Sequence, residues 1–297
     1  MQLHGIHHVT CITGDAPRNL EFYVDTLGLR LVKKSVNQDD PTVYHLFYAD
    51  ELGSPGADIT FFEYPGAARG RAGDGMIHRI VFRVGSDESL DFWQRRVGGE
   101  RDDGSLRFAD PEGLALELVA DGSDDPPLVA RHPEIPEEHA LRGFAGVRAY
   151  ASARERSAGF LGALGFEGAG ERWESRGDRD GFYVYDTPPG ERGLAGAGTV
   201  HHVAWSARLD EHAEWVDRVR EAGGRPTPVI DRFWFRSIYF REPSGVLFEI
   251  ASLGPGFGID EDADHLGEKL ILPPRFEHLR AEIEPKLTPL PSPRELV

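Results

Sequence analysis

Gly5-Ile6-His7-His8-Val9-Thr10 returns near the other end of the chain as Thr199-Val200-His201-His202-Val203-Ala204. Both stretches place two histidines inside a short apolar, β-branched run, which is typical of a buried strand. A third version, Met76-Ile77-His78-Arg79-Ile80-Val81, has an arginine in place of the second histidine. The chain therefore repeats one strand, and only two of these three copies keep both histidines.

A second sequence motif also repeats, and each copy ends in a glutamate on an apolar strand. Glu242-Pro243-Ser244-Gly245-Val246-Leu247-Phe248-Glu249 echoes Asp110-Pro111-Glu112-Gly113-Leu114-Ala115-Leu116-Glu117. An unpaired carboxylate on such a strand is costly to bury. Glu249 therefore needs a cation or a strong hydrogen-bond donor.

The predicted elements around these phrases follow the order strand, helix and three strands. In the first copy, a strand over residues 5–13 precedes a helix with Asp15 as its N-cap and Gly28 as its stop. Strands near 29–36, 42–48 and 58–63 complete the copy. A curved sheet with a helix outside leaves its concave face open until another sheet closes it. We therefore expect an α+β fold of four βαβββ modules paired into curved mixed-sheet cups.

The predicted domain boundaries follow these modules. They are an N-terminal pair of modules over 1–120 (about 1–65 and 75–120), a linker over 121–141, a C-terminal pair over 142–253 (about 142–190 and 199–253) and a C-terminal extension over 254–297. The linker is rich in proline and acidic residues and lacks apolar periodicity. We expect the proline-rich extension to pack over the core, with one short helix near residues 276–283.

His8, His202 and Glu249 are the candidate metal ligands. Side chains alternate across a strand, so His8 and Thr10 share one face, and His202 fills the same position in its own copy. Two neutral imidazoles and a carboxylate form the ligand set of non-haem iron(II) sites, with manganese, zinc and nickel as alternative metals. Glu63, at the end of a strand in the first module, is the rival carboxylate. Satisfied core histidines and a structural ion pair are the non-functional alternatives.

The second module provides an internal control for this hypothesis. Glu117 matches Glu249 in position, but Arg79 stands where a histidine would be, so we expect a structural ion pair between them. The third module has Gly146 at the corresponding position. Only modules one and four therefore have a histidine at the position where a metal ligand is expected. These two modules must pack together if the ligands hold one ion, which leaves modules two and three to form a second cup without metal.

A segment dense in aromatic and cationic groups precedes the Glu249 strand. It reads Asp231-Arg232-Phe233-Trp234-Phe235-Arg236-Ser237-Ile238-Tyr239-Phe240-Arg241. Such a segment can supply a wall for a flat ring, together with a phenol or guanidinium that hydrogen-bonds an oxygen atom of the substrate. The alternative is a strand core with surface arginines.

The composition narrows the class of protein. The chain has 297 residues, a net charge of −17 and a single cysteine, Cys11. The negative charge argues against nucleic acid or an anionic membrane as partner, and one cysteine permits no intramolecular disulfide. No stretch resembles a signal peptide or a membrane span. We expect a cytoplasmic protein that acts on a small molecule, and we keep a homo-oligomer as a candidate assembly.

The motifs together resemble those of the vicinal oxygen chelate superfamily, and more narrowly its hydroquinone ring-cleaving dioxygenases. The likeness covers nearly the whole chain. Beyond the two histidine stretches, it rests on Asn19-Leu20-Glu21-Phe22-Tyr23, Leu27-Gly28-Leu29-Arg30-Leu31-Val32-Lys33-Lys34, Asp231-Arg232-Phe233, Arg236-Ser237-Ile238-Tyr239-Phe240-Arg241-Glu242-Pro243, Phe248-Glu249-Ile250, Gly254-Pro255-Gly256-Phe257 and Leu272-Pro273-Pro274.

This resemblance implies a fold, a cofactor and a reaction. It implies iron(II), with manganese(II) as the alternative, at the three ligands named above, and an aromatic diol and dioxygen as substrates. It also implies acid–base or charge-stabilising roles for Tyr239, His201 and Arg232, and substrate contacts for His7, Thr10, Arg232 and Tyr239. Regular alternation points His7 and His201 away from the ligand face, so a twist or bulge would be needed for either to reach the substrate.

Two other functions share this fold. One is a glyoxalase-type isomerase or a metal-dependent transferase, which usually has a second glutamate ligand that this sequence lacks in an equivalent position. The other is a ligand-sequestering protein of the drug-resistance type, which keeps the cup without the metal. The full set of His8, His202 and Glu249 argues against the second alternative.

Overall fold

The computed structural model describes residues 1–120 and 122–293. Its first module consists of β1 (Ile6–Thr13), helix α1 (Ala16–Leu20), β2 (Arg30–Asn37), β3 (Asp40–Ala49) and β4 (Asp58–Glu63). The side chain of Asp15 accepts a hydrogen bond from the Arg18 N–H, so the predicted N-cap is confirmed. The helix continues as π-helical turns over Glu21–Thr26 and stops before Gly28, which has a φ of 69°.

The other modules repeat this order. The second contains β5 (Met76–Val84), α2 (Asp87–Val97), β6 (Glu100–Asp102), β7 (Ser105–Ala109) and β8 (Ala115–Ala120). The third contains β9 (Phe144–Tyr150), α3 (Ala158–Ala163), β10 (Glu167–Ala169), β11 (Arg172–Arg176) and β12 (Asp180–Asp186). The fourth contains β13 (Thr199–Ala207), α4 (His212–Glu221), β14 (Ile230–Asp231), β15 (Phe235–Arg241) and β16 (Leu247–Pro255).

The strands form two eight-stranded sheets that pair the modules across the chain. One sheet has the order β14-β15-β16-β13-β1-β4-β3-β2, and the other β10-β11-β12-β9-β5-β8-β7-β6. Module one is therefore joined to module four, and module two to module three. This pairing confirms the arrangement that the positions of the histidines required. The predicted domains instead group the modules in chain order, one with two and three with four, on either side of the linker at 121–141. That division into domains stays a prediction.

Two groups of apolar side chains fill the two faces of the first sheet. The larger core contains residues of both sheets, among them Val9, Ile80, Val147 and Val203. A smaller cluster lies on the opposite face and contains Val32, Phe47, Ala49, Ala57, Ala204, Trp234, Phe235, Ala251, Phe257 and Leu266. Strand alternation explains the division, since Val203 and Ala204 are neighbours on opposite faces of one strand.

The C-terminal extension packs against the first sheet. It contains a short helix, α5 (Arg280–Ile283), which follows a 3₁₀ segment over Pro274–Leu279, and Ile283 joins the larger core. The fully buried ammonium group of Lys33 anchors the start of the extension: its Nζ lies 2.7 Å from Asp260 Oδ1 and also contacts the Glu261 carboxylate. Asp260 accepts a further hydrogen bond from Trp234 Nε1 at 2.9 Å.

The region predicted as a linker has little regular structure. Between 122 and 141, the helix and strand assignments comprise one 3₁₀ turn, Glu137–His139. Among the described residues, no helix has both the length and the apolar character needed to cross a membrane.

Candidate metal centre

Three side chains from three adjacent strands converge at the centre of the first sheet. His8 Nε2 lies 3.3 Å from His202 Nε2 and 3.2 Å from Glu249 Oε2, and His202 Nε2 lies 2.8 Å from that same oxygen. Strand register explains the convergence, because Ala204 of β13 pairs with both His8 of β1 and Glu249 of β16. His202 lies two residues before Ala204 and therefore on the same face.

The environment of Glu249 fits a bound cation. Its side chain is fully buried, and neither carboxylate oxygen accepts a hydrogen bond from the described residues. Ligand atoms about 2.1 Å from an ion and at right angles to one another lie about 3.0 Å apart. The triangle of ligand atoms therefore has the size that a divalent ion requires.

A chain of hydrogen bonds fixes the tautomer of His8. His7 Nε2 lies 3.2 Å from the Ser252 carbonyl oxygen, which can only accept, so His7 Nε2 donates. Burial lowers the pKa of His7 to about 3, and the neutral ring must then accept at Nδ1. His8 Nδ1 lies 2.9 Å from that atom and donates to it. His8 Nε2 is left with a lone pair that points toward Glu249, as a metal ligand requires.

His201 and His202 make the same contact between ring nitrogens on β13. Their Nδ1 atoms lie 2.7 Å apart, and burial lowers the pKa of both imidazoles, to about 4 for His201. Irregular register between β1 and β13, at Ile6/His8 and at Thr10/Cys11, accompanies the two histidine pairs. His7 and His201 therefore contact the candidate ligands through their ring edges and do not line the cavity.

A narrow cavity of about 30 Å³ opens beside the candidate ligands. This volume lies well below the range for ligand pockets, roughly 300–1,000 Å³, so a bound ring requires the lining side chains to move apart. The lining residues are His8, Asn37, Gln38, Asp39, His45, Phe47, Phe62, His202, Arg232, Trp234, Phe235 and Tyr239. Aromatic rings thus form most of the wall.

Tyr239 and Arg232 face each other at the edge of this cavity. Arg232 Nε donates to the Tyr239 hydroxyl at 3.3 Å, and the Tyr239 ring packs edge-on against His202 with ring centres 5.7 Å apart. Burial and the negative charge of Glu249 raise the pKa of the Tyr239 phenol. The phenol is therefore protonated at neutral pH and is able to donate a hydrogen bond.

One unusual backbone conformation shapes the aromatic segment between β14 and β15. Phe233 has a φ of 74°, which is uncommon for a residue with a side chain and often marks functional sites. Its N–H donates to Asp231 Oδ1 at 2.8 Å. With Phe233 in this turn, both Arg232 and Trp234 line the cavity.

Sequence reasoning missed the contribution of β3 and of the turn before it. His45 and Phe47 line the cavity, while Tyr44, Leu46 and Tyr48 belong to the larger core. Alternation along β3 was the signal that could have found them. Thr10, a predicted substrate contact, lies outside the lining: its hydroxyl accepts from Thr60, whose hydroxyl lies 2.9 Å from His45 Nε2.

The rival and control residues have structural roles. Glu63 accepts a hydrogen bond from the Ala16 N–H at the start of α1, 3.2 Å away. Arg79 and Glu117 form the predicted ion pair, with Nη1 3.2 Å from Oε2. A Cβ atom on Gly146 would lie 2.2 Å from the Phe182 ring, which fills that position in the second sheet. Across the described residues, His8, His202 and Glu249 are the one three-residue cluster with metal-ligand geometry.

Known proteins resemble the chain over its full length. The model of the Glyoxalase/Bleomycin resistance protein/Dioxygenase superfamily matches residues 5–118 and 77–250. MhqA of Bacillus subtilis, provisionally named a ring-cleaving dioxygenase, is 40% identical over 315 residues, which cover 98% of this chain and 100% of the relative. The chlorohydroquinone/hydroquinone 1,2-dioxygenase of Sphingobium indicum is 34% identical over 315 residues, 95% of each chain. A crystal structure of a provisionally named dioxygenase from Bacillus subtilis superposes with a TM-score of 0.91 at 38% identity and 98% coverage of each chain.

Proposed function

Because the chain belongs to the glyoxalase/bleomycin resistance protein/dioxygenase superfamily, we propose that it is a non-haem iron(II)-dependent dioxygenase that cleaves the ring of a hydroquinone-type aromatic diol. The observation that carries the proposal is the convergence of His8, His202 and Glu249 at a small cavity with aromatic walls. Two histidines and one carboxylate leave coordination positions open for a substrate and dioxygen. Manganese(II) is the alternative metal.

The protein's own residues have separate tasks in this reaction. His8, His202 and Glu249 would hold the iron, which supplies the one-electron chemistry that dioxygen requires. His7 keeps His8 in the tautomer that exposes a lone pair, and His201 contacts the outer nitrogen of His202. The rings of Phe47, Phe62, Trp234 and Phe235 hold the substrate ring in place and exclude water.

Tyr239 and Arg232 act on the oxygen atoms of the substrate. The protonated Tyr239 hydroxyl can donate a hydrogen bond to a diol oxygen and later give its own proton to the opening ring, to be replaced by one from water. Arg232 donates to the same hydroxyl, so its positive charge stabilises negative charge that develops there.

Oxygen uptake tests the proposal directly. Protein loaded with iron(II) under anaerobic conditions is mixed with oxygen and, in turn, hydroquinone, methylhydroquinone, chlorohydroquinone and catechol. We expect stoichiometric oxygen consumption and loss of the aromatic absorbance with a para-diol. Tight binding of one metal ion without oxygen uptake with any diol would refute ring cleavage and favour an isomerase or transferase of the same fold.

His7 provides a test of the ligand orientation that does not depend on turnover. In a His7→Phe variant, His8 Nδ1 loses its acceptor, so the lone pair at Nε2 is no longer fixed. We expect the affinity for iron(II) or manganese(II) to fall about 10- to 100-fold, as for other residues that orient a ligand. Competition with a chelator of known affinity measures this change. Wild-type metal affinity in the variant would show that His7 has no orienting role.

A further inference from the structure

We propose that Asp39 makes this site selective for diols whose ring carries no anionic substituent. The inference rests on the proposed function and extends it to the charge of the substrate. Asp39 lies in the turn between β2 and β3, at the edge of the cavity, and was not singled out by any sequence motif.

Asp39 forms an ion pair with the guanidinium group of Arg232, which would otherwise attract an anionic substituent of the substrate. Arg232 Nη1 donates to Asp39 Oδ1 at 3.1 Å and Nη2 to Oδ2 at 2.9 Å, while Nε donates to the Tyr239 hydroxyl. All three nitrogens of Arg232 therefore have a protein acceptor. A substrate carboxylate would have to displace Asp39 or lie beside it, and like charges at close range are unfavourable.

The cavity offers no second cation of permanent charge. Of the described residues in its lining, Arg232 is the single lysine or arginine, and burial holds the pKa of His45 well below its usual range. Asp39 balances Arg232, and Glu249 balances half the charge of a divalent ion. One net positive charge remains, which a diol that has lost one proton neutralises. A diol with an additional carboxylate would bring excess negative charge.

Hydrogen bonds within and around the turn hold Asp39 in place. Gln38 Nε2 donates to the Arg232 carbonyl oxygen at 2.8 Å, and Arg275 Nη2 donates to Gln38 Oε1 at 2.8 Å. The Asp39 N–H donates to Asn37 Oδ1 at 3.0 Å. The Asp39 side chain is 72% exposed, so water screens its charge in part. The discrimination we expect is therefore about tenfold rather than absolute.

The test compares a neutral diol with a carboxylated diol of similar shape in the wild type and in Asp39→Asn. The two probes are methylhydroquinone and 2,5-dihydroxybenzoate. We expect the ratio of kcat/KM for the carboxylated to the neutral diol to rise about tenfold in the variant. An anaerobic titration followed by tryptophan fluorescence, to which Trp234 in the cavity wall contributes, measures the same ratio for binding without any turnover.

Two control variants separate the charge of Asp39 from other effects. Asp40→Asn removes the same charge one residue away, where the carboxylate bonds to Thr42 and not to Arg232. Gln38→Ala loosens the turn without changing its charge. Asp40→Asn should leave the ratio unchanged, and Gln38→Ala, which keeps the charge of Asp39, should raise it by less than Asp39→Asn does.

Several results would overturn the inference. Equal use of both diols by the wild type, an unchanged ratio in Asp39→Asn, or the same rise in either control variant would each do so. If the iron-loaded wild type consumes no diol, the proposed function fails, and the ratio of the anaerobic binding constants still decides the role of Asp39.

Discussion

Replacing Glu249 by glutamine is expected to remove most of the bound metal and almost all activity. The substitution keeps the size of the side chain but replaces the one anionic ligand with a neutral amide. The site would then rely on two imidazoles for a divalent cation. We expect metal affinity to fall by more than about 100-fold, because replacing a residue that only orients a ligand already lowers metal affinity about 10- to 100-fold. Metal content after dialysis and oxygen uptake are the measurements.

Glu117→Gln is the matched control for this prediction. Glu117 holds the equivalent position in the second sheet, where Arg79 takes the place of a histidine ligand. The control variant loses an ion pair but should keep both metal and activity. Retention of metal by Glu249→Gln, or loss of metal in Glu117→Gln, would contradict the assignment of the site.

Replacing Lys33 by methionine is expected to destabilise the protein by about 3 kcal/mol. Breaking a buried ion pair by removing one partner typically costs 3–5 kcal/mol, because the other charge stays buried. Here Lys33 is fully buried, while the Asp260 and Glu261 side chains are 17% and 7% exposed. Chemical unfolding in urea measures the change in the free energy of unfolding. The attachment of Phe257 beside the cavity should loosen as well, since Lys33 also contacts the Phe257 carbonyl oxygen.

Two comparisons test the cause of this loss. Lys34→Met changes the neighbouring lysine, which donates to the Glu268 carbonyl. The nearby Glu261 carboxylate keeps Lys33 as its partner in this variant. We expect it to cost less than about 1 kcal/mol. Adding Asp260→Asn and Glu261→Gln to Lys33→Met removes the uncompensated charges, so the triple variant should be more stable than Lys33→Met alone. A lower stability of the triple variant would mean that packing, not charge, causes the loss.

The local features of the fold could be predicted from the sequence because they repeat. The strand, helix and three-strand order is present in each module, and the Asp15 cap begins the first helix. The pairing of modules one and four followed from chemistry: two histidine positions could not serve one ion unless β1 and β13 were neighbours. The ion pair between Arg79 and Glu117 in the other sheet was predicted in the same way, from the arginine that replaces a histidine there.

Contacts between distant loops could not be predicted in this way. Asp39 and Arg232 are 193 residues apart, and Lys33 and Asp260 are 227 residues apart. No periodic pattern links such positions, because each lies in a turn or extension that only the completed fold brings into place. The contacts of His7 and His201 depend on irregular strand register, which alternation alone does not show.

The nesting of the modules sets an order of events during synthesis of the chain. All strands of the second sheet lie between Met76 and Asp186, so all of them are made before β13. The edge of β1 that pairs with β13 has no partner until residues 199–207 have been made. Because translation proceeds at roughly 5–20 residues per second, the backbone groups along this strand edge stay unpaired for on the order of ten seconds. Glu249 is made later still, so the three candidate ligands come together only when translation is nearly finished.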